Sequence, residues 1–306
     1  MFTYTAVFTT LAAAAIAAAA PAAGALQPVV EDAREVDTLA AHVAWVKPAR
    51  ASATSQIALD GEPRAAMAGG HQPDLGTDRR GRVIVVFIRH GDVWVFDPAT
   101  QRARRLPATH RGLAERHPTV SRGRVGWVQT RRTGRRAVDR LVFATLQARR
   151  PQLRSVPGGG AARRVQGLEL SGRVLAISTS QRNLRADETG PVHVQLVRPG
   201  RTPVTVLTGV NSVNQQTTFS GLALTSNWVY VAQTQTDISG TTTLIRRTAS
   251  SRRSQRLLLG EDFTGQENAP QRRVDSVAVA PGGTLLIATT GPGPDRIERE
   301  PSPAWR

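Results

Sequence analysis

The sequence predicts an all-β chain, a six-bladed β-propeller of four-stranded antiparallel blades behind an N-terminal signal segment. Three observations carry this. A short apolar run follows a tight-turn signal six times along the chain. Four strand-like segments recur with most of these runs. No helical pattern follows residue 25. Repetition at such intervals is the mark of a repeat architecture, and four short strands per unit is the mark of a propeller blade.

Residues 1–25 come first. The run "LAAAAIAAAAPAAGA" is apolar, shorter than a comfortable membrane span, and ends in small residues; Ala23 and Ala25 fit a small-x-small cleavage pattern. No Lys or Arg precedes Arg34, so the basic start of an export signal is missing. The expectation is a signal peptide over 1–25 and a single propeller domain over 26–306.

The apolar runs begin at Val43, Val83, Val125, Val174, Trp228 and Leu285, at intervals of 40, 42, 49, 54 and 57. Gly-Arg precedes three of them, at Gly81-Arg82, Gly123-Arg124 and Gly172-Arg173. Ser226-Asn227 and Pro281-Gly282-Gly283 precede two more; Gly and Asn tolerate the positive φ that tight hairpins need. Short strands such as "LELS" and "VAVAP" lie ahead of most turns, whereas "LGTDRRGR" reads as too polar for a clean strand. Third strands follow at "QIAL", "DVWVFD", "LVFATL", "VHVQLV", "TTLIRR" and "RIERE". Fourth strands follow at "RAAM", "RARRLP", "QLRSVP", "PVTVLT" and "QRLLLG". The blades fall at about 37–70, 74–107, 116–157, 165–208, 219–260 and 274–306. The last lacks a fourth strand, which the segment near 27–36 is expected to supply, closing the ring and removing its free edges.

The cassette "RHPTVSRGRVGWVQT…DRLVFATL" resembles the TolB-type (WD40-like) propeller repeat, in its Pro118, Ser121, Gly123, the apolar strand Val125 to Val128 and the strand Leu141 to Leu146. "DVWVFDPATQRARRL" is similar to the strand, Asp turn and final strand of the same repeat. The resemblance runs from about residue 37 to 306, but its usual Ser-Pro-Asp-Gly turn is nowhere intact, "APGG" at 280 being nearest. It implies a scaffold whose repeat residues are not catalytic. Propellers of this type are typically exported binding or scaffolding modules, and some are domains of peptidases; no hydrolase domain is expected beside the propeller within these 306 residues.

The chemistry is sparse. There is no cysteine, which excludes disulfides, thiol nucleophiles and cysteine-zinc sites. Six histidines, at 42, 71, 90, 110, 117 and 193, show no metal-ligand spacing and read as solvated. Asp74, Asp78, Asp187 and Glu188 read as turn formers and solvated acids, and Trp45, Trp94 and Trp127 as core. No catalytic residue, metal or cofactor is expected. The net charge is +17, and 39 of the 40 basic residues are arginine, a bias that genome composition explains as well as function does.

Function is therefore argued from topology. Loops between second and third strands share one face with the blade connections, and this is where the variable length lies; 130–139 and 179–190 are two of these loops. Arg131, Arg132, Arg135, Arg136, Arg182 and Arg185 fall there and form the candidate binding set, since guanidinium forks suit carboxylate, phosphate or sulfate. The expectation is an exported monomer, extracellular, periplasmic or on the cell envelope, that is not an enzyme. It binds a protein or an anionic envelope polymer through the long-loop face. Nucleic acid is disfavoured because no aromatic residues interleave the arginines. The rival expectation is a glycan lyase or hydrolase with carboxylates in the central funnel.

Overall fold

The structure, a computed structural model, describes residues 27–48, 54–110, 112–134, 136–158, 163–181, 189–211, 216–236, 241–248, 253–259, 263, 272–291, 293–301, 303 and 305. These form a ring of six four-stranded antiparallel blades. β1 (Gln27–Glu31) belongs to the last blade. Blade 1 is β2 (Arg34–Leu39), β3 (His42–Lys47), β4 (Gln56–Leu59) and β5 (Glu62–Pro63). Blade 2 is β6 (Gly70–Thr77), β7 (Val83–Arg89), β8 (Asp92–Asp97) and β9 (Arg102–Arg105). Blade 3 is β10 (Ala114–Ser121), β11 (Arg124–Thr133), β12 (Arg136–Thr145) and β13 (Gln152–Ser155). Blade 4 is β14 (Arg163–Ser171), β15 (Val174–Gln181), β16 (Gly190–Val197) and β17 (Val204–Asn211). Blade 5 is β18 (Gln216–Leu224), β19 (Trp228–Thr236), β20 (Thr241–Thr248) and β21 (Ser254–Leu258). Blade 6 is β22 (Arg273–Val279), β23 (Leu285–Thr290), β24 (Arg296–Glu300) and β1.

β1 lies antiparallel on β24, Gln27 opposite Arg299 and Glu31 opposite Arg296. The first strand of the chain thus completes the last blade and joins both ends of the ring. Ala33 N–H donates to the Asp295 carbonyl (3.1 Å), and Arg34 pairs with the Asp295 carboxylate, where the chain turns into blade 1.

The buried apolar residues fall into six clusters, one at each blade–blade interface. Side chains alternate across a strand, so each inner strand feeds both neighbouring interfaces. On β11, Val125 and Trp127 pack toward blade 2 while Val128 packs toward blade 4. This explains the continuous apolar runs of the sequence: a blade is covered on both faces, as a buried sheet is. Each fully buried Trp127, Phe87 or Ile177 contributes about 1.5–3 kcal/mol by leaving water. Trp127 and Trp45 join interface clusters as the sequence predicts, Trp127 fully and Trp45 partly buried. Trp94 lies under the Arg89 guanidinium, 4.2 Å from ring centroid to Cζ.

Several boundaries differ from the sequence reading. "LGTDRRGR" contributes to β6 as far as Thr77, because Leu75 is buried between blades 1 and 2 and the preceding Asp74 is buried on the axis rather than solvated. "RAAM" is a 3₁₀ turn over Ala65–Met67, and the fourth strand of blade 1 is the two-residue β5 just before it. The expected loop 130–139 is a long hairpin: Arg131 faces Val138 and Thr133 faces Arg136 in register. Likewise β15 continues to Gln181 and β19 to Thr236.

Candidate functional site

The innermost strands β2, β6, β10, β14, β18 and β22 surround the ring's axis. Each carries a β-bulge at its equivalent place, at Glu35, Gln72, His117, Gln166, Gly221 and Asp275. A bulge inserts an extra residue and re-aims its side chain, which is why bulges gather beside binding sites. Glu35, Gln72 and His117 sit at φ of 49°, 53° and 49°, left-handed conformations that cost on the order of 1 kcal/mol each for residues other than glycine. In blade 5 the place is held by Gly221 at φ 58°, where a Cβ would lie 3.0 Å from the Val277 side chain.

These bulge residues line an axial cavity of about 180 Å³, together with Asp37, Asp74 and Glu169. Five carboxyl groups, Glu35, Asp37, Asp74, Glu169 and Asp275, therefore face one small space. Among the described residues no arginine or lysine lines it, in a chain with 40 of them.

Part of this arrangement is architectural. Four inner strands, β2, β6, β10 and β22, accept backbone N–H groups from the next blade. Glu35 accepts from Gln72 N–H, and Gln72 Oε1 accepts from His117 N–H at 2.8 Å. Asp37 accepts from Leu75 N–H, and Asp74 from Val120 N–H at 2.7 Å. Thr119 and Ser121 do the same for Leu170 and Gly172, both at 2.9 Å. Ser276 closes the series by accepting from Val36 N–H at 2.6 Å. Glu169 and Asp275 have other partners: Glu169 bonds the Asp74 carboxyl, and Asp275 accepts from the Thr290 hydroxyl at 3.3 Å.

Burial and crowding keep these acids protonated beyond the ordinary carboxyl range. Burial pushes Asp37 up to about 7. Burial first, then the charge of Asp37, raises Asp74 well above its usual value. Burial, then Asp74 and Asp37, does the same to Glu169, which keeps its proton and donates it to Asp74. Burial is also the first cause of the upward shifts of Glu35 and Asp275. His117 moves the other way, to about 3, through burial and then the nearby Arg116 and Arg164 charges, so its ring is neutral. Like charges that cannot all ionise in one site share protons, and the group titrates as a unit.

The sequence reading placed none of these acids at a site. Asp78 is the turn former expected of it, accepting from the Arg80 and Arg82 N–H groups at 2.8 and 3.0 Å. Asp74 is not; it is buried on the axis. Asp187 and Glu188 lie outside the described residues. His117 is not a solvated loop histidine but an axial one, and His42 is bound to Asp60 at 2.8 Å. Of the arginine set, Arg131 and Arg132 are exposed near the tip of the β11–β12 hairpin. Arg136 begins β12, and Arg135, Arg182 and Arg185 lie outside the described residues. The available signals for the axial site were Pro73 and Pro118, since proline within an inner strand marks a bulge. Among the described residues no group of three or more His, Cys, Asp or Glu side chains is placed to hold a metal ion. Nor is any helix there long and apolar enough to cross a membrane.

Fold and site together define a six-bladed β-propeller with an acidic axial cavity. No family model matches the sequence, and no curated protein matches it. Solved structures do match its fold. A puromycin-hydrolyzing peptidase of Mycobacterium tuberculosis is similar over 92% of this chain and 48% of its own, with TM-score 0.54 and 16% identity. The chain thus spans about half the length of that peptidase. The β-propeller domain of the Trilobed protease from Pyrococcus furiosus, described as having an open velcro topology, is similar over 90% of this chain and 95% of its own, with TM-score 0.52 and 8% identity. A protein of unknown function from Dyadobacter fermentans DSM 18053 gives 90%, 96%, 0.51 and 11% in the same terms. At these identities the likeness shows the fold alone. It nonetheless corrects the expectation of a non-enzymatic binder working through its long-loop face. Propellers of this shape occur in peptidases, so the fold does not mark a non-enzymatic binder, and the polar cavity lies on the axis instead of on the long-loop face.

Proposed function

We propose that the protein is the propeller component of a peptide-hydrolysing system, and that its axial cavity holds the positively charged amino end of a peptide. The carrying observation is the cavity wall, five carboxyl groups and, among the described residues, no arginine or lysine in a chain of net charge +17. An ammonium group offers three donors and a compact charge, and paired carboxyls accept it in charge-assisted hydrogen bonds. The cavity's 180 Å³ falls below the roughly 300–1,000 Å³ of sites for drug-sized ligands, so it suits one terminal residue rather than a length of polymer. Glu35, Asp37 and Asp74 are held by the next blade, Glu169 is bonded to Asp74, and these fix the geometry, while Asp275 meets the ligand. Neutral His117 adds no opposing charge. Bond cleavage is not assigned to a residue of this chain. The peptidases with similar propellers support the substrate class. The TolB-type character of the repeat and export of the chain belong to the same reading. They rest on the Pro118 to Leu146 cassette and on the alanine-rich run before residue 26.

The test is calorimetric titration of the protein with a short peptide bearing either a free or an acetylated amino terminus. Acetylation is expected to weaken binding about tenfold or more, and Asp275→Asn to do the same for the free peptide. Equal binding of both peptides removes the proposal.

A further inference from the structure

A second concave site lies away from the axis, between blades 2 and 3, on the face of the short hairpin turns. Its walls come from four turns: Asp78 to Arg82 between β6 and β7, Thr100 between β8 and β9, Gly123 between β10 and β11, and Gln147 after β12. The volume is about 680 Å³, within the usual range for small-molecule sites. Arg79, Arg80, Arg82, Arg102 and Arg104 line it, against two acids, Asp78 and Asp97.

Both acids are already engaged. Asp78 binds two N–H groups of its own turn and the Arg82 side chain at 2.8 Å. Asp97 accepts from Ala99 N–H at 2.9 Å. Arg104 reaches across the interface and donates to the Leu146 carbonyl at 3.0 Å, tying the two walls together. Arg79, Arg80 and Arg102 are exposed and form no ion pair among the described residues. Arg79 is also seated: Gly123, at φ 73°, lies so close that a Cβ there would stand 2.7 Å from Arg79 Cγ. Gly123 N–H in turn donates to the Thr77 carbonyl at 2.6 Å, docking the blade 3 turn under blade 2. Ile84, Val95, Ala103 and Leu146 supply an apolar floor.

We propose that this groove binds an organic phosphate, its phosphoryl oxygens on Arg79, Arg80 and Arg102 and its organic body on the apolar floor. Several guanidinium forks converging from the β6–β7 turn and from β9 of blade 2 suit a group with several peripheral oxygens and more than one negative charge. A single carboxylate is met by one fork. The excess of three positive charges over the two acids matches a di- or trianion. The turn's N–H groups at Arg80 and Arg82 are taken by Asp78, so recognition falls to the side chains.

The experiment is calorimetric titration of the whole chain with pyrophosphate, adenosine diphosphate and adenosine at moderate salt. A chain of net charge +17 attracts anions generally. A control variant, Arg256→Ala with Arg299→Ala, therefore removes two exposed charges on blades 5 and 6. The diphosphate nucleotide is expected to bind more tightly than pyrophosphate, and adenosine not measurably. Arg79→Ala with Arg80→Ala, and separately Arg102→Ala, should each weaken the nucleotide about tenfold or more, with the control pair unchanged. Circular dichroism checks that each variant keeps its fold. The proposal is overturned if the control pair weakens binding as much, if the groove variants leave it unchanged, or if adenosine binds as well as its diphosphate. It is equally overturned if an acidic peptide displaces the nucleotide and is the tighter ligand.

Discussion

At the residue scale, polar groups at blade interfaces do two kinds of work. Asp139 on β12 shows the structural kind. Its side chain is fully buried and accepts from the Arg116 guanidinium, from the Thr130 hydroxyl at 2.8 Å and from Val165 N–H at 2.8 Å. Neighbouring cations and N–H groups overcome burial and hold its carboxyl below the ordinary range. Removing one partner of such a buried pair leaves a charge without compensation, so Asp139→Ala should cost about 3–5 kcal/mol, read from urea unfolding. The axial residues show the other kind, and they set a pH dependence. Asp37 titrates at about 7 when folded against an ordinary 3.8, so the folded chain holds an extra proton between those values. Its stabilising effect is full below about pH 3.8 and is lost as pH rises through about 7. His117, lowered from 6.5 to about 3, has the opposite sign, stabilising above 6.5 and losing that effect as pH falls toward 3. Between about pH 3.8 and 6.5 the two effects oppose each other, so in thermal melts Asp37→Asn should remove the decline that Asp37 contributes and leave stability rising with pH relative to the parent chain. An unchanged slope in that variant would assign the decline to other groups.

At the element scale, β1 carries more than its five residues imply. It pairs along β24, and Val30 packs with the cluster that joins blades 6 and 1. Without it β24 becomes an open edge with unsatisfied N–H and C=O groups, the geometry that recruits another chain. Deleting residues 27–31 should therefore lower the melting temperature and shift the protein to dimers or larger species in size-exclusion chromatography. A monomer of unchanged stability would show the closure to be dispensable. This strand was readable because the last repeat shows three strands and a strand-like segment lies ahead of blade 1. β6 was not readable in the same way. Its polar residues resemble a loop, and they are buried only because five other inner strands converge on the same axis.

At the scale of the molecule, an acidic cavity on the axis and a basic one between blades 2 and 3 on the hairpin face lie apart among the described residues. The chain's +17 charge thus describes neither, because charge is sorted by topology. By itself, the sequence determined the β class, the six repeats, the tight turns and the apolar runs. Each of these is local, written in hydrophobic period, glycine placement and repeat spacing. Only the tertiary structure decided which acids meet. Glu35, Asp37, Asp74, Glu169 and Asp275 span some 240 positions of chain and look like scattered polar residues until ring closure brings six inner strands together. The arginines show the converse. They look like a patch wherever they adjoin in sequence, but a strand sends neighbours to opposite faces, and a groove needs turns from two blades. Local pattern specifies a blade. The contents of a site between blades depend on contacts far apart in sequence, and no local pattern encodes them.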